Sequence, residues 1–181
     1  MANFKISEHI TGRNEGGYAN DKADRGGETY AGIARNSWPN WKGWAAIDKI
    51  KATKGTSAAI INANAKADIE LQDKISAFYK ANFWDVNKLD LFEDQQIADS
   101  VYDFGVNSGT VKAAKTLQDV LGVQQDGVIG KITIGVLNLA NFKSVHIAYN
   151  CKREAFYQKL ATNPSQAKFL RSWMSRLNPY A

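Results

Sequence analysis

Cysteine and histidine are nearly missing from this 181-residue chain: Cys151 is the sole cysteine, and the two histidines are His9 and His146. One cysteine excludes an internal disulfide, so the fold must rest on its core. It also excludes a Cys-rich zinc site. A His-based one would have to join His9 to His146 from distant parts of the chain, and no H-E-x-x-H segment is present. His146 and Cys151 stand five apart, on different faces of a helix, which argues against a Cys–His nucleophile pair.

Other absences are equally restrictive. Gly130-Lys131 ends like a phosphate loop, but Ile132 stands where a Ser or Thr would reach magnesium. No G-x-G-x-x-G follows a strand, so dinucleotide binding has no support. Lys and Arg are scattered, without the basic run of roughly five to eight residues that marks a nucleic-acid binder. No apolar run approaches the roughly 18 residues of a membrane span. Lys5, Glu8 and His9 interrupt the stretch where a signal peptide would be apolar, so no classical secretion signal is expected. Carboxylates are left as the chemistry, with neither metal nor organic cofactor expected.

What is present is ordinary for a globular protein: 44% hydrophobic and 23% charged residues. The length suits one domain, or two small ones sharing a core. Twenty-three basic against 18 acidic side chains give a net charge of +5, which favours an acidic partner such as a nucleic acid, an anionic membrane surface or a cell-wall polymer.

Apolar periodicity predicts a mainly α chain with one small β excursion near the N-terminus. A helix over 3–14 runs into Glu15-Gly16-Gly17, and paired glycines end a helix well. The turn-rich segment 18–33 has room for a hairpin of two very short strands, one before Asp24 and one around Thr29–Ile33. Trp38, Trp41 and Trp44 introduce a short helix to about Ile50, and Ser57 caps one long helical region to about Asn82. Further helices are expected over 94–106, 111–121, 133–139 and 142–160, with a last one after Asn163-Pro164 carrying Phe169 to Leu177.

Glu15 and Asp24 lie nine apart, the first at a helix end and the second in a Gly-rich hairpin. Cleavage of a glycosidic bond needs a proton donor on the leaving oxygen and usually a second carboxylate across the bond. A helix end facing a hairpin can hold that pair on opposite walls of a groove. Thr29, five after Asp24, could hold a nucleophilic water. To act as an acid near neutral pH, Glu15 would need its pKa raised from about 4.3 to about 6, which costs roughly 2.3 kcal/mol. Spacing alone equally allows Glu15 beside a helix cap and Asp24 capping a turn.

Taken whole, Glu15-Gly16-Gly17-Tyr18, followed by Asn20-Asp21-x-x-Asp24-x-Gly26-Gly27-x-Thr29-x-x-Gly32-Ile33, resembles the signature of glycoside hydrolase family 108. These are bacterial and phage N-acetylmuramidases, some described as secretion activators. The resemblance continues through Val101 to Gly109, Leu117-Gln118-x-x-Leu121-Gly122 and Asp126-Gly127-Val128-Ile129-Gly130-x-x-Thr133, and ends at Phe169-Leu170-x-x-Trp173-x-x-Arg176. It implies a lysozyme-like α+β fold, with a catalytic region over 1–92 and a helical, peptidoglycan-binding-like region over 93–181, packed as one compact unit. It implies Glu15 as the acid. The order of acid, Asp and Thr is also similar to phage-type lysozymes, which casts Asp24 as second carboxylate and Thr29 as water-positioning residue; the spacing to Thr29 is one residue short. Lys22 and Arg25 replace common prolines, and Ala34 a frequent Thr.

Peptidoglycan is then the expected partner, the protein a monomer acting at the wall or periplasm, and its export route open. Tyr18, beside the acid, is a candidate sugar contact. Asn107, with Tyr102 nearby, either lines a saccharide groove or caps a helix before Gly109; Asp103 reads better as a buried helix partner. The three tryptophans fit packing better than sugar stacking. The alternatives to an enzyme are a non-catalytic wall-binding module and an interaction protein that regulates secretion.

Overall fold

The computed structural model describes residues 1–12, 16–20 and 26–177. Ten α-helices and a three-stranded sheet are formed among them. They group into two compact units: Thr11–Tyr79, and Met1–Ile10 together with the chain from Lys80 onward. This grouping by contact divides the chain at different points from the 92/93 division drawn from motifs.

The first unit carries the sheet. Strands β1 (Ala19–Asn20), β2 (Glu28–Tyr30) and β3 (Ile33–Ala34) run antiparallel in that order, with Ala19 opposite Thr29, and Tyr30 opposite Ile33. The sequence reading expected two strands; the stretch Thr29–Ile33 instead folds back on itself. Ala31 and Gly32 form the two-residue link with φ of 48° and 73°, the pattern of a type I′ turn, whose twist matches paired strands. Ala31 is the costly member, because its Cβ opposes the left-handed region. The Tyr79 hydroxyl donates to the Ala31 carbonyl at 2.7 Å and helps hold the turn. Ala31→Gly is expected to stabilise the protein by about 0.5–1 kcal/mol, read as a higher midpoint in urea at unchanged slope.

Three helices complete this unit: α2 (Trp44–Thr53), α3 (Ala58–Ala67) and α4 (Ile69–Tyr79). The long helix expected over 57–82 is broken at Asp68, where ψ turns to 99°. The Asp68 carboxylate accepts the Leu71 N–H at 3.0 Å and so caps α4. Ile33, Ile47, Ile61, Ala65 and Leu71 are fully buried between sheet and helices. Trp44 is also buried, and Trp41 packs edge-on against it with ring centroids 5.1 Å apart; Trp38 packs likewise on Phe78 at 4.9 Å. The tryptophans serve packing.

The second unit is helical. It opens with α1 (Phe4–Gly12), whose Phe4 ring meets Trp84 and Tyr102 edge-on. A π turn over Lys80–Trp84 and two 3-10 turns, Asp85–Asn87 and Leu89–Leu91, lead into α5 (Gln95–Ser108). Asp94 caps α5 by accepting the Ile97 N–H at 2.9 Å. Helices α6 (Thr110–Leu121), α7 (Lys131–Leu139) and α8 (Phe142–Ala161) follow, close to their expected bounds. The final helix is two short ones, α9 (Pro164–Ala167) and α10 (Leu170–Ser175). Helix α5 is the centre of this unit: nine consecutive residues, Ile97 to Gly105, are buried.

Candidate active site

Side chains alternate across a sheet, so register decides which candidates share a surface. Glu28 and Tyr30 point to one face of β2 and Thr29 to the other. Tyr18, immediately before β1, belongs to the Glu28 face, where its hydroxyl donates to Glu28 Oε1 at 2.7 Å. Tyr18 and Thr29 are therefore on opposite faces of the sheet. Most of the Tyr18 ring is buried, and burial together with the bond to Glu28 raises its hydroxyl pKa above the ordinary value.

Glu28 is the side chain that sequence reasoning passed over. Lys51 Nζ reaches its Oε1 at 2.7 Å, and Arg35 Nε its Oε2 at 2.6 Å. Asp48 completes the cluster, with Arg35 Nη2 at 2.7 Å and Nη1 at 3.1 Å. Burial alone would raise the Glu28 carboxyl, but the bonds from Lys51 and Tyr18 and the charge of Arg35 outweigh it and hold its pKa below the usual value. An acid held ionised in this way cannot donate a proton at neutral pH. Glu28 is an anchor, and its signal in the sequence was weak because Lys51 and Arg35 come from separate elements.

Gly17 and Tyr18 are gripped from α3. Asn62 Oδ1 accepts the Tyr18 N–H at 2.7 Å, and a Cβ on Gly17 would stand 2.7 Å from Asn62 Nδ2. The second glycine of the E-G-G-Y motif thus lets the Asn62 carboxamide approach closely, and a side chain there would force it to shift. Glu15 and Asp24 themselves lie outside the described residues.

The Thr29 hydroxyl donates to the Gly27 carbonyl at 3.3 Å and is half-buried. In the helical unit, Asn107 sits within α5, and its Nδ2 donates to the Tyr157 hydroxyl at 3.0 Å; Gly109 is the cap. Tyr102 is a correction. Only 1% exposed, its ring is packed against Phe4 and Trp84, so it has no surface to offer a sugar. The burial follows from the place of α5, which is enclosed on every side from Ile97 to Gly105.

The turn at Asp126–Thr133 is built around buried Gln118. Gln118 Nε2 donates to Asp126 Oδ1 at 2.7 Å and to the Val128 carbonyl at 3.1 Å, while its Oε1 accepts the Gly127 N–H at 2.9 Å. Gly127 has φ of 82°, which a side chain would oppose. Backbone demands account for the Asp, the Gly and the Gln of this motif. Among the described residues, no three His, Cys, Asp or Glu side chains gather as a metal site, and no helix is long and apolar enough to cross a membrane.

Residues 9–109 match the family model described as glycosyl hydrolase 108, and residues 112–178 match one described as "Predicted Peptidoglycan domain". The first match spans more than half of the chain, and the protein belongs to glycosyl hydrolase family 108. It is a glycoside hydrolase of lysozyme-like α+β fold, with peptidoglycan as its substrate polymer. Among solved structures it is similar to Brucella abortus SagA at 26% identity and a TM-score of 0.67, over 98% of this chain and 90% of that one. No curated protein matches the chain.

Proposed function

We propose that this protein is an N-acetylmuramidase that hydrolyses the β-1,4 bond between N-acetylmuramic acid and N-acetylglucosamine, with Glu15 as general acid. The observation that carries this reading is that Glu15 opens the E-G-G-Y motif within the family match, and the Tyr18 of that motif is held at its backbone N–H by Asn62 and at its hydroxyl by Glu28. Glu28, on the sheet face beside Tyr18, is kept ionised and cannot take the acid's part. Glu15 gives its proton to the bridging oxygen as the bond to the muramic C1 breaks, and N-acetylglucosamine leaves as an alcohol. Asp24 either takes a proton from the attacking water or offsets the charge of the sugar ring as it becomes oxocarbenium-like. Thr29, whose hydrogen is already given to Gly27, has lone pairs to receive that water's hydrogen. The net charge of +5 draws a monomer to the anionic wall, where it acts outside the cytoplasmic membrane.

Digestion of purified peptidoglycan, borohydride reduction of the fragments and mass spectrometry test the bond. New ends reduced to muramitol are expected. Reduced glucosaminitol ends would assign the other glycosidic bond, and anhydromuramic ends would replace hydrolysis by internal transfer. Sedimentation with the wall without fragment release would leave only a wall-binding module.

A further inference from the structure

Asn62 belongs to α3, 44 residues beyond the motif it touches. Its carboxamide does two things to that motif at once. The oxygen takes the Tyr18 N–H at 2.7 Å, and the flat group lies so near Gly17 that a Cβ there would overlap both its nitrogen and its oxygen, at 2.7 and 2.8 Å. Tyr18 is meanwhile pinned at its far end by Glu28, and Glu28 by Lys51 and Arg35. The segment is thus fixed at backbone and at phenol, from two elements. Glu15 precedes Gly17 by two residues in the sequence.

We propose that Asn62 is a positioning residue for the reaction: it holds the Gly17–Tyr18 backbone, and through it sets where Glu15 presents its proton. The inference rests on the role given to Glu15 above. Proton transfer is sensitive to placement, and a displacement of about 1 Å can cost on the order of 100-fold in rate. A surface hydrogen bond serving stability alone would leave the turnover of folded protein untouched.

The test uses the full chain with Asn62→Ala, Asn62→Asp, Gly17→Ala and the double variant Asn62→Ala/Gly17→Ala. Turnover is measured on soluble peptidoglycan fragments, and hydrogen exchange at the Tyr18 amide reports the grip directly. Asn62→Ala is expected to lower kcat about 10- to 100-fold with KM within about threefold, and to speed exchange at Tyr18. Asn62→Asp keeps the acceptor oxygen and is expected to restore most of kcat. Gly17→Ala alone is expected to lose activity, and to cost much less further when Asn62 is already Ala, because the atoms it would strike are gone.

Wild-type kcat in Asn62→Ala with faster exchange at Tyr18 would overturn the inference and leave Glu15 as acid. So would a fall in kcat that Asn62→Asp fails to restore. Full activity in Glu15→Gln would instead remove the acid, whatever Asn62 does.

Discussion

Glu15→Gln is expected to end the clearing of wall suspensions, with kcat falling by about 10²- to 10⁴-fold, the range that a positioned general acid supplies. Glutamine matches glutamate in size and still accepts a hydrogen bond, but it has no proton to give at any working pH. The fall should therefore appear in kcat, with KM on soluble fragments changed little. Thermal stability should be unchanged or higher, because a carboxyl kept for catalysis is not placed for stability and the amide keeps its size. Binding to sedimented wall should persist, since the match over 112–178 does not include Glu15. A variant that cleared suspensions at the wild-type rate would take Glu15 out of the mechanism. The comparison with Glu28 sharpens the point. Both are glutamates of the same compact unit, yet Glu28 is bound by Lys51, Arg35 and Tyr18 and kept charged, which suits an anchor and not a donor.

Local signals carried most of the helical fold. Ser57, Asp94 and Asn141 each accept an N–H three residues on, from Ile60, Ile97 and Ser144, as helix caps do; of the three, the sequence pattern marks Ser57 as a cap. Where the reading differed, a local choice competed with a longer pattern. Leu71, Ile75 and Phe78 keep a helical period, and that regularity hid the break at Asp68, which is decided by one carboxylate capping α4. The β2–β3 turn was hidden because alanine is a poor candidate for positive φ, and the Tyr79 hydroxyl that supports Ala31 lies 48 residues away. Long-range pairs were the least legible. Nothing near Gly17 announces Asn62, and nothing near Glu28 announces Lys51. The burial of Tyr102 is of the same kind: α5 is enclosed on every side from Ile97 to Gly105, by partners as distant in sequence as Phe4.

Asp103→Ala is expected to destabilise the protein severely, by about 3–5 kcal/mol. Asp103 on α5 is 1% exposed and faces Arg153 of α8, which is fully buried; Arg176, just past α10, reaches its other oxygen at 3.0 Å. Arg153 also donates to Asn150 at 3.1 Å, and its guanidinium lies 5.5 Å from the centre of the Phe104 ring. Removing the carboxylate takes from a buried guanidinium the anion that Asp103 supplies, and with it the offset to its desolvation. Against a typical total stability of about 5–15 kcal/mol, such a loss leaves a large unfolded fraction near 37 °C. Chemical denaturation separates this cost from the worth of the pair itself. The double variant Asp103→Leu/Arg153→Met removes both buried charges and keeps apolar volume, and it is expected to recover most of the lost stability, because a buried ion pair contributes little net over well-packed apolar groups. If Asp103→Ala cost as little as a surface ion pair, about 1 kcal/mol or less, the network would not be the tie between α5, α8 and the C-terminal turns that its burial implies.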